Sequence, residues 1–263
     1  MKFYKQLSSI VVGISLLSAP VFAETVAEKG LAIAKERKAR DLGWGDSISQ
    51  AEMILRNAQG QETVRKMRLK SLEVENDGDK ALTIFDQPRD VKGTAFLSFS
   101  HATTPDDQWM YLPALKRVKR IASRNKSGPF MGSEFAFEDL SSFEVEKYSY
   151  KYLRDEVVNG EDTYVIESEP VDKYSGYTKQ INWIDKAHYR PLKVEFYDRK
   201  GSLLKTLTFS DYKLYLDKYW RADKMSMVNN QTGKSTDFIT KELTFKTGLR
   251  DKDFNKATLK RAK

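Results

Sequence analysis

The sequence predicts a mainly β protein: a single large curved antiparallel sheet, an incomplete barrel of about ten or eleven strands, with an N-terminal helix and a short helical lid over its concave face. Three observations predict it. From Ser47 onward apolar and polar residues alternate, as in Met67 and Leu69, Leu72 and Val74, Ala95, Leu97 and Phe99, Ile181 and Trp183, and Leu192, Val194 and Phe196. That two-residue period, in segments rich in Tyr, Phe, Val, Ile and Thr, marks half-buried strands. Hairpin signals punctuate them at Gln59-Gly60, Asp77-Gly78, Asn159-Gly160, Arg199-Lys200-Gly201, Asp217-Lys218 and Thr232-Gly233, so neighbours in sequence pair in a meander. Intervals of roughly 15–18 residues between turns allow strands of roughly 8–13 residues, and a sheet of so many long strands twists and curls toward a barrel.

The elements follow in chain order. Residues 1–23 read as a secretory signal peptide cut after Ala23: Lys2 and Lys5 are followed by an apolar run from Ile10 to Leu17, then small residues at Val21 and Ala23. The apolar run is far short of the ~20 residues that span a bilayer. From Glu24 to Arg40, Val26, Ala27, Gly30, Leu31 and Ala34 recur at helical spacing opposite Lys29, Lys35, Lys38 and Arg40, and Gly43, Gly45 and Asp46 end that helix. The strands begin at Ser47. They are interrupted from Gly128 to Phe143, where Phe130, Met131, Phe135, Phe137, Leu140 and Phe143 show no strand alternation and are too apolar for a solvated loop. This stretch reads as a lid in the mouth of the curled sheet. The charged tail from Asp251 to Lys263 is expected to form a short helix around Phe254 and Leu259, and no linker divides residues 24–263 into two domains.

Composition excludes several kinds of chemistry. Of 263 residues, 40% are hydrophobic and 31% charged, with 14 Gly and 7 Pro, a balance that fits a packed core and excludes a disordered or collagen-like chain. Cysteine is absent, which removes disulfides, thiol nucleophiles and Cys-ligated metals, and two histidines, His101 and His188, cannot build a multi-histidine metal site. No cofactor and no metal are expected. There is no Gly-rich phosphate loop, Gly-x-Ser-x-Gly elbow or His-Glu-x-x-His. The carboxylates Glu134, Glu138 and Asp139, Asp106 and Asp107, and Glu167 and Glu169 leave a two-carboxylate glycan hydrolase as an alternative, but they read as solvated groups, and no catalytic residue is assigned. The net charge of +8 suits anionic lipid or an acidic partner, with no nucleic acid expected for an exported protein.

The strongest local signature lies between Gly93 and Leu140. It comprises Gly93-Thr94-Ala95-Phe96-Leu97, Asp107-Gln108-Trp109-Met110-Tyr111-Leu112-Pro113, Arg117-Val118-Lys119-Arg120-Ile121, and the run from Phe130 to Leu140. With Trp183-Ile184-Asp185 and the segment Pro191 to Asp198 before Gly201, it resembles the LolA-like superfamily of outer-membrane lipoprotein-sorting proteins, in particular the larger periplasmic branch associated with RND-type lipid exporters. The resemblance implies an incomplete antiparallel barrel with an apolar, helix-covered concave face, a LolA/LolB-like fold that carries acyl chains without catalysis. The arginine on which that family's function depends has three candidates here, Arg56, Arg65 and Arg68.

On this reading the protein is a periplasmic, monomeric carrier for acylated lipid or lipoprotein cargo, working toward the outer membrane with an inner-membrane RND-type transporter and touching membranes peripherally. The expected hydrophobic cavity and lid residues are Leu97, Phe99, Trp109, Tyr111, Phe130, Phe135, Phe137 and Trp183. Lys116, Arg117, Lys119, Arg120, Arg124 and Lys126 form a basic run expected to dock anionic lipid or a partner, or to serve only as a solvated edge that blocks aggregation. A structural or signalling domain with a permanently filled cavity is the other alternative.

Overall fold

The structure, a computed structural model, describes residues 24–260; the expected signal peptide lies outside the described residues. The chain begins with helix α1 (Val26–Arg40) and continues through β1 (Asp46–Arg56), β2 (Glu62–Leu72), β3 (Lys80–Gln87), β4 (Ala95–Phe99), β5 (Asp107–Leu112) and β6 (Arg117–Ile121). Beyond the lid follow β7 (Tyr148–Val158), β8 (Glu161–Pro170), β9 (Tyr177–Asp185), β10 (Pro191–Asp198), β11 (Leu203–Tyr215), β12 (Tyr219–Asn229) and β13 (Ser235–Phe245), and then a short helix α2 (Lys256–Leu259).

All 13 strands belong to one antiparallel sheet in the order β6-β5-β4-β3-β2-β1-β13-β12-β11-β10-β9-β8-β7, with edges at β6 and β7. Two meanders are therefore joined along a central seam, where Ser47 lies opposite Phe245 and Arg56 opposite Ser235. Register shifts between Gln50 and Ala51 on β1 and between Tyr152 and Arg154 on β7 help to bend the sheet. The expected count of about ten or eleven strands is corrected to 13. Strands β4, β5 and β6 have five, six and five residues, short of the strand length expected from the turn spacing. Their connections carry no Asn-Gly or Asp-Gly signal; β5 and β6 are joined through Pro113-Ala114-Leu115 and a left-handed Lys116.

Helix α1 starts at a capping box: the Thr25 hydroxyl accepts from the Glu28 amide at 3.1 Å, and the Glu28 carboxylate accepts from the Thr25 amide at 2.8 Å. Its inner stripe, Ile33 and Ala34, packs with Val145, Tyr150, Ile166 and Ile184, so the helix lies on the concave face of β7, β8 and β9. Gly30 permits this approach. A Cβ there would sit 2.8 Å from the Tyr152 amide nitrogen and 2.9 Å from Lys151 backbone atoms. Gly30→Ala is therefore expected to lose about 1–3 kcal/mol of stability through overpacking, although alanine favours an isolated helix by up to about 1 kcal/mol. A urea midpoint at or above that of the wild type would show that α1 does not dock this closely.

The segment 122–147 connects the two free edges, β6 and β7, and thereby crosses the open mouth of the sheet. It is built from short 3-10 turns rather than a helix, including Phe130–Gly132 and Phe137–Leu140. The expected C-terminal element is also present: Phe254, just before α2, and Leu259 within it, 2% and 0% exposed, pack on the convex face of β3, β4 and β5.

Candidate functional site

Alternation along the strands sends two sets of apolar side chains to opposite faces of the sheet. On the concave face, Met53, Met67, Phe85, Phe96 and Met110 meet Phe130 of the lid; the Phe130 ring lies 5.1 Å from Phe96 and 5.8 Å from Phe85. Phe135, five residues after Phe130, reaches the other half of the sheet and packs with Tyr177, Val194, Phe196, Leu207 and Met227. The lid thus stands on two aromatic feet, one in each meander.

Five of the expected cavity residues, Leu97, Phe99, Trp109, Tyr111 and Trp183, are corrected. Leu97, Phe99, Trp109 and Tyr111 pack on the convex side with Leu82, Ile84, Phe254 and Leu259, away from the lid. Strand β4 reads Ala-Phe-Leu-Ser-Phe and is buried on both faces; its all-apolar phase is the convex one, while the buried Ser98 shares the concave phase with Phe96, so the period misleads about which phase looks inward. The concave phase is Phe96 and Met110. Trp183 is also convex: it packs with Val165 and Ile181 under the Lys193 ammonium, 3.5 Å from its ring centre, while its neighbour Ile184 faces α1. Phe130 and Phe135 are 1% and 3% exposed, as expected of a lid, and Phe137 is half-buried against Phe96 and Phe130.

Polar contacts pin the lid. Lys205 on β11 pairs with Asp139 at 2.6 Å, both side chains almost fully buried, and donates to the Glu134 carbonyl at 2.9 Å. The Tyr177 hydroxyl donates to Asp139 at 2.7 Å, the Gly176 amide to Glu138 at 2.8 Å and the Gln108 side chain to the Phe137 carbonyl at 3.0 Å. Burial pushes the Glu138 carboxyl above its ordinary range. The three candidate arginines are now distinguished: Arg56 pairs with Glu62 and Asp237, Arg68 forks onto Asp86 with two 2.8 Å bonds, and Arg65 donates to the Met131 carbonyl of the lid. Arg65 Nε is buried without a hydrogen bond, and desolvation draws its guanidinium below the usual arginine range.

Between lid, α1 and the central strands lies a cavity of about 590 Å³, within the range of about 300–1,000 Å³ common for small-ligand sites. Its apolar walls include Met67, Phe96, Phe130, Phe135, Leu207 and Phe238. Toward the C-terminal end of α1 the lining changes to Arg37, Arg40, Arg190, Tyr212 and Arg221. Asp79, also in the lining, has its carboxyl pushed by burial up to about 7, with Lys38 acting in the opposite direction. Sequence reasoning missed Phe96, Leu207 and Phe238 as lining residues, and Lys205 with Asp139 as a lid anchor. Met67 and Leu69 had already shown the right alternation for β2.

The basic run lies on and after the edge strand β6. Lys116, Arg117, Lys119 and Arg124 are exposed and make no ion pair among the described residues, whereas Arg120 pairs with Asp107, and Lys126 with Asp172 at 2.6 Å. His101 pairs with Asp77 at 2.8 Å and His188 stacks on Trp220, so the two histidines stand apart. No group of three or more metal-ligating side chains occurs among the described residues.

A family model described only as an uncharacterized protein matches residues 77–261. No curated protein matches the sequence. Among solved structures, an outer-membrane lipoprotein-sorting protein domain from Vibrio parahaemolyticus is 72% identical, covering 89% of this chain and 100% of its own, with a TM-score of 0.88. A DUF1329 family protein from Desulfovibrio piger is 30% identical over 89% of this chain and 99% of its own, with a TM-score of 0.84. A LolA superfamily protein from Nitrosomonas europaea shares the fold at 21% identity, with 87% and 98% coverage and a TM-score of 0.69. With its open 13-stranded sheet and lid, this chain belongs to the DUF1329 family, alongside the Vibrio outer-membrane lipoprotein-sorting domain, and shares the LolA-like fold.

Proposed function

We propose that the protein is a periplasmic carrier that shelters the acyl chains of a lipid or lipoprotein in its cavity on the way to the outer membrane. The observation that carries this reading is the cavity of about 590 Å³ walled by Phe96, Phe130, Phe135, Leu207 and Phe238 beneath a lid that joins both sheet edges. Burying an acyl chain gains about 0.8 kcal/mol per methylene, so affinity needs no catalytic group. The lipoprotein-sorting description of the Vibrio relative supports the same class of cargo.

Loading and release require the lid to move, and Arg65, held to the Met131 carbonyl, is placed to couple that movement to β2. The unpaired cations Lys116, Arg117, Lys119 and Arg124 supply a docking edge for anionic lipid or for a membrane partner, an RND-type transporter being the partner the resemblance suggests. The test is uptake of a solvatochromic naphthylamine dye and its displacement by fatty acid. Phe238→Glu, which sets a carboxylate on the cavity wall, is expected to weaken dye binding at least tenfold while the urea midpoint shows a folded protein. A Lys116/Arg117/Lys119→Ser triple variant is expected to bind dye normally and to lose only salt-sensitive association with anionic vesicles. Dye binding unchanged by Phe238→Glu would place the apolar site elsewhere.

A further inference from the structure

The cations lining the cavity are not equivalent. Lys38 holds Glu144 at 2.8 Å, Arg40 holds Glu36 at 2.7 Å, Arg190 holds Asp185 at 2.7 Å, and Arg221 and Lys80 hold Asp41 and Asp251. Lys218 donates to the Leu42 carbonyl at 2.6 Å. Arg37 differs from all of these. Its guanidinium makes no hydrogen bond and no ion pair among the described residues; it lies over the Phe143 ring at the inner end of the lid, 4.1 Å from the ring centre. It is half-buried, and the groups that act on its charge are Tyr212, Tyr150, Asp41 and Tyr148.

A cation near a helix C-terminus is favourable in itself, but Lys38 and Arg40 in the same last turn already meet that need. A guanidinium turned inward carries five N–H donors in a planar fork suited to a phosphate, and leaving them unsatisfied is costly. Phe143, on which it lies, lines the same cavity as the apolar Phe130 and Leu207.

On the carrier reading above, we propose that Arg37 is the head-group site of the cargo: it receives the phosphate of an acylated lipid whose chain occupies the cavity. This separates two classes of cargo that the cavity alone does not. The acylated terminus of a lipoprotein bears no phosphate and would leave Arg37 unpaired, whereas a phospholipid would satisfy it. The proposed cargo is therefore an anionic phospholipid or lysophospholipid.

The experiment compares two ligands of one chain length that differ only in the phosphate, a lysophosphatidic acid and the matching monoacylglycerol, with inorganic phosphate as a third probe. Binding is read by dye displacement on the wild type, on Arg37→Met, which keeps the packing on Phe143, and on Arg37→Gln. The wild type is expected to bind the lysophosphatidic acid roughly tenfold or more tighter than the monoacylglycerol, the scale of a charge-assisted hydrogen bond. Both variants are expected to lose that preference while their affinity for monoacylglycerol stays within about twofold. Equal affinity of the wild type for both lipids, or an undiminished preference in both folded variants, overturns the head-group site and leaves the carrier reading standing. If neither lipid displaces the dye, the carrier reading falls and the head-group site with it. Displacement by millimolar inorganic phosphate alone would assign the arginine to free anions and overturn the lipid proposal.

Discussion

Asp139→Ala is expected to cost about 3–5 kcal/mol of folding stability, more than any single truncation of an exposed charge in this protein. The carboxylate lies 2.6 Å from Lys205 Nζ, with the two side chains 5% and 4% exposed, and also accepts from the Tyr177 hydroxyl and the Ala136 amide. Removing it strands a buried ammonium, a hydroxyl and an amide together. The Lys205→Met/Asp139→Leu double variant takes out both charges and is expected to recover much of the loss, since an apolar pair can replace a buried ion pair at little cost. Recovery stays partial because Tyr177 and Ala136 still lack their acceptor. Urea unfolding of the two single variants and the double variant measures the coupling. A midpoint for Asp139→Ala equal to that of the wild type would mean that the lid is not anchored through this pair.

Two adjacent residues, Phe96 and Leu97, are expected to separate stability from binding. Leu97→Ala removes a side chain that is 0% exposed beneath Phe254 and Leu259, with an expected loss of about 2–5 kcal/mol, release of the tail to protease and unchanged dye affinity. Phe96→Ala is expected to cost about 3–5 kcal/mol and also to weaken dye binding, because its ring forms part of the cavity wall under Phe130. Equal loss of dye affinity in the two folded variants would contradict the assignment of faces.

The architecture was readable from residue patterns because each long strand carries its own alternation and most carry a turn signal at one end. Asn159-Gly160, for example, takes positive φ at both residues, 53° and 84°, as a tight hairpin requires. The lid was readable because six large apolar residues without a strand period have to be covered. The face of each strand was not readable where both faces are buried. In β4, Phe96 is covered by the lid and Leu97 by the tail, and the one polar residue, Ser98, is buried in the same phase as Phe96, so polarity points to the wrong face. The anchors were hidden for a different reason. Lys205 and Asp139 are 66 residues apart and look like ordinary surface charges until the fold brings them together. The same is true of Arg37, which stands in the charged run Lys35-Glu36-Arg37-Lys38 of α1.

The strand order also constrains how the chain can fold. Each meander is made by pairing successive segments, which closes short loops at small entropic cost. The seam is the exception: it joins residues 46–56 to residues 235–245, across almost the entire sequence. A chain that emerges from its N-terminus forward can complete the first meander early, but β1 then waits as an open hydrogen-bonding edge until β13 arrives. During that interval β1 is the strand most exposed to wrong pairing with another copy, a hazard the charged edge β6 does not share.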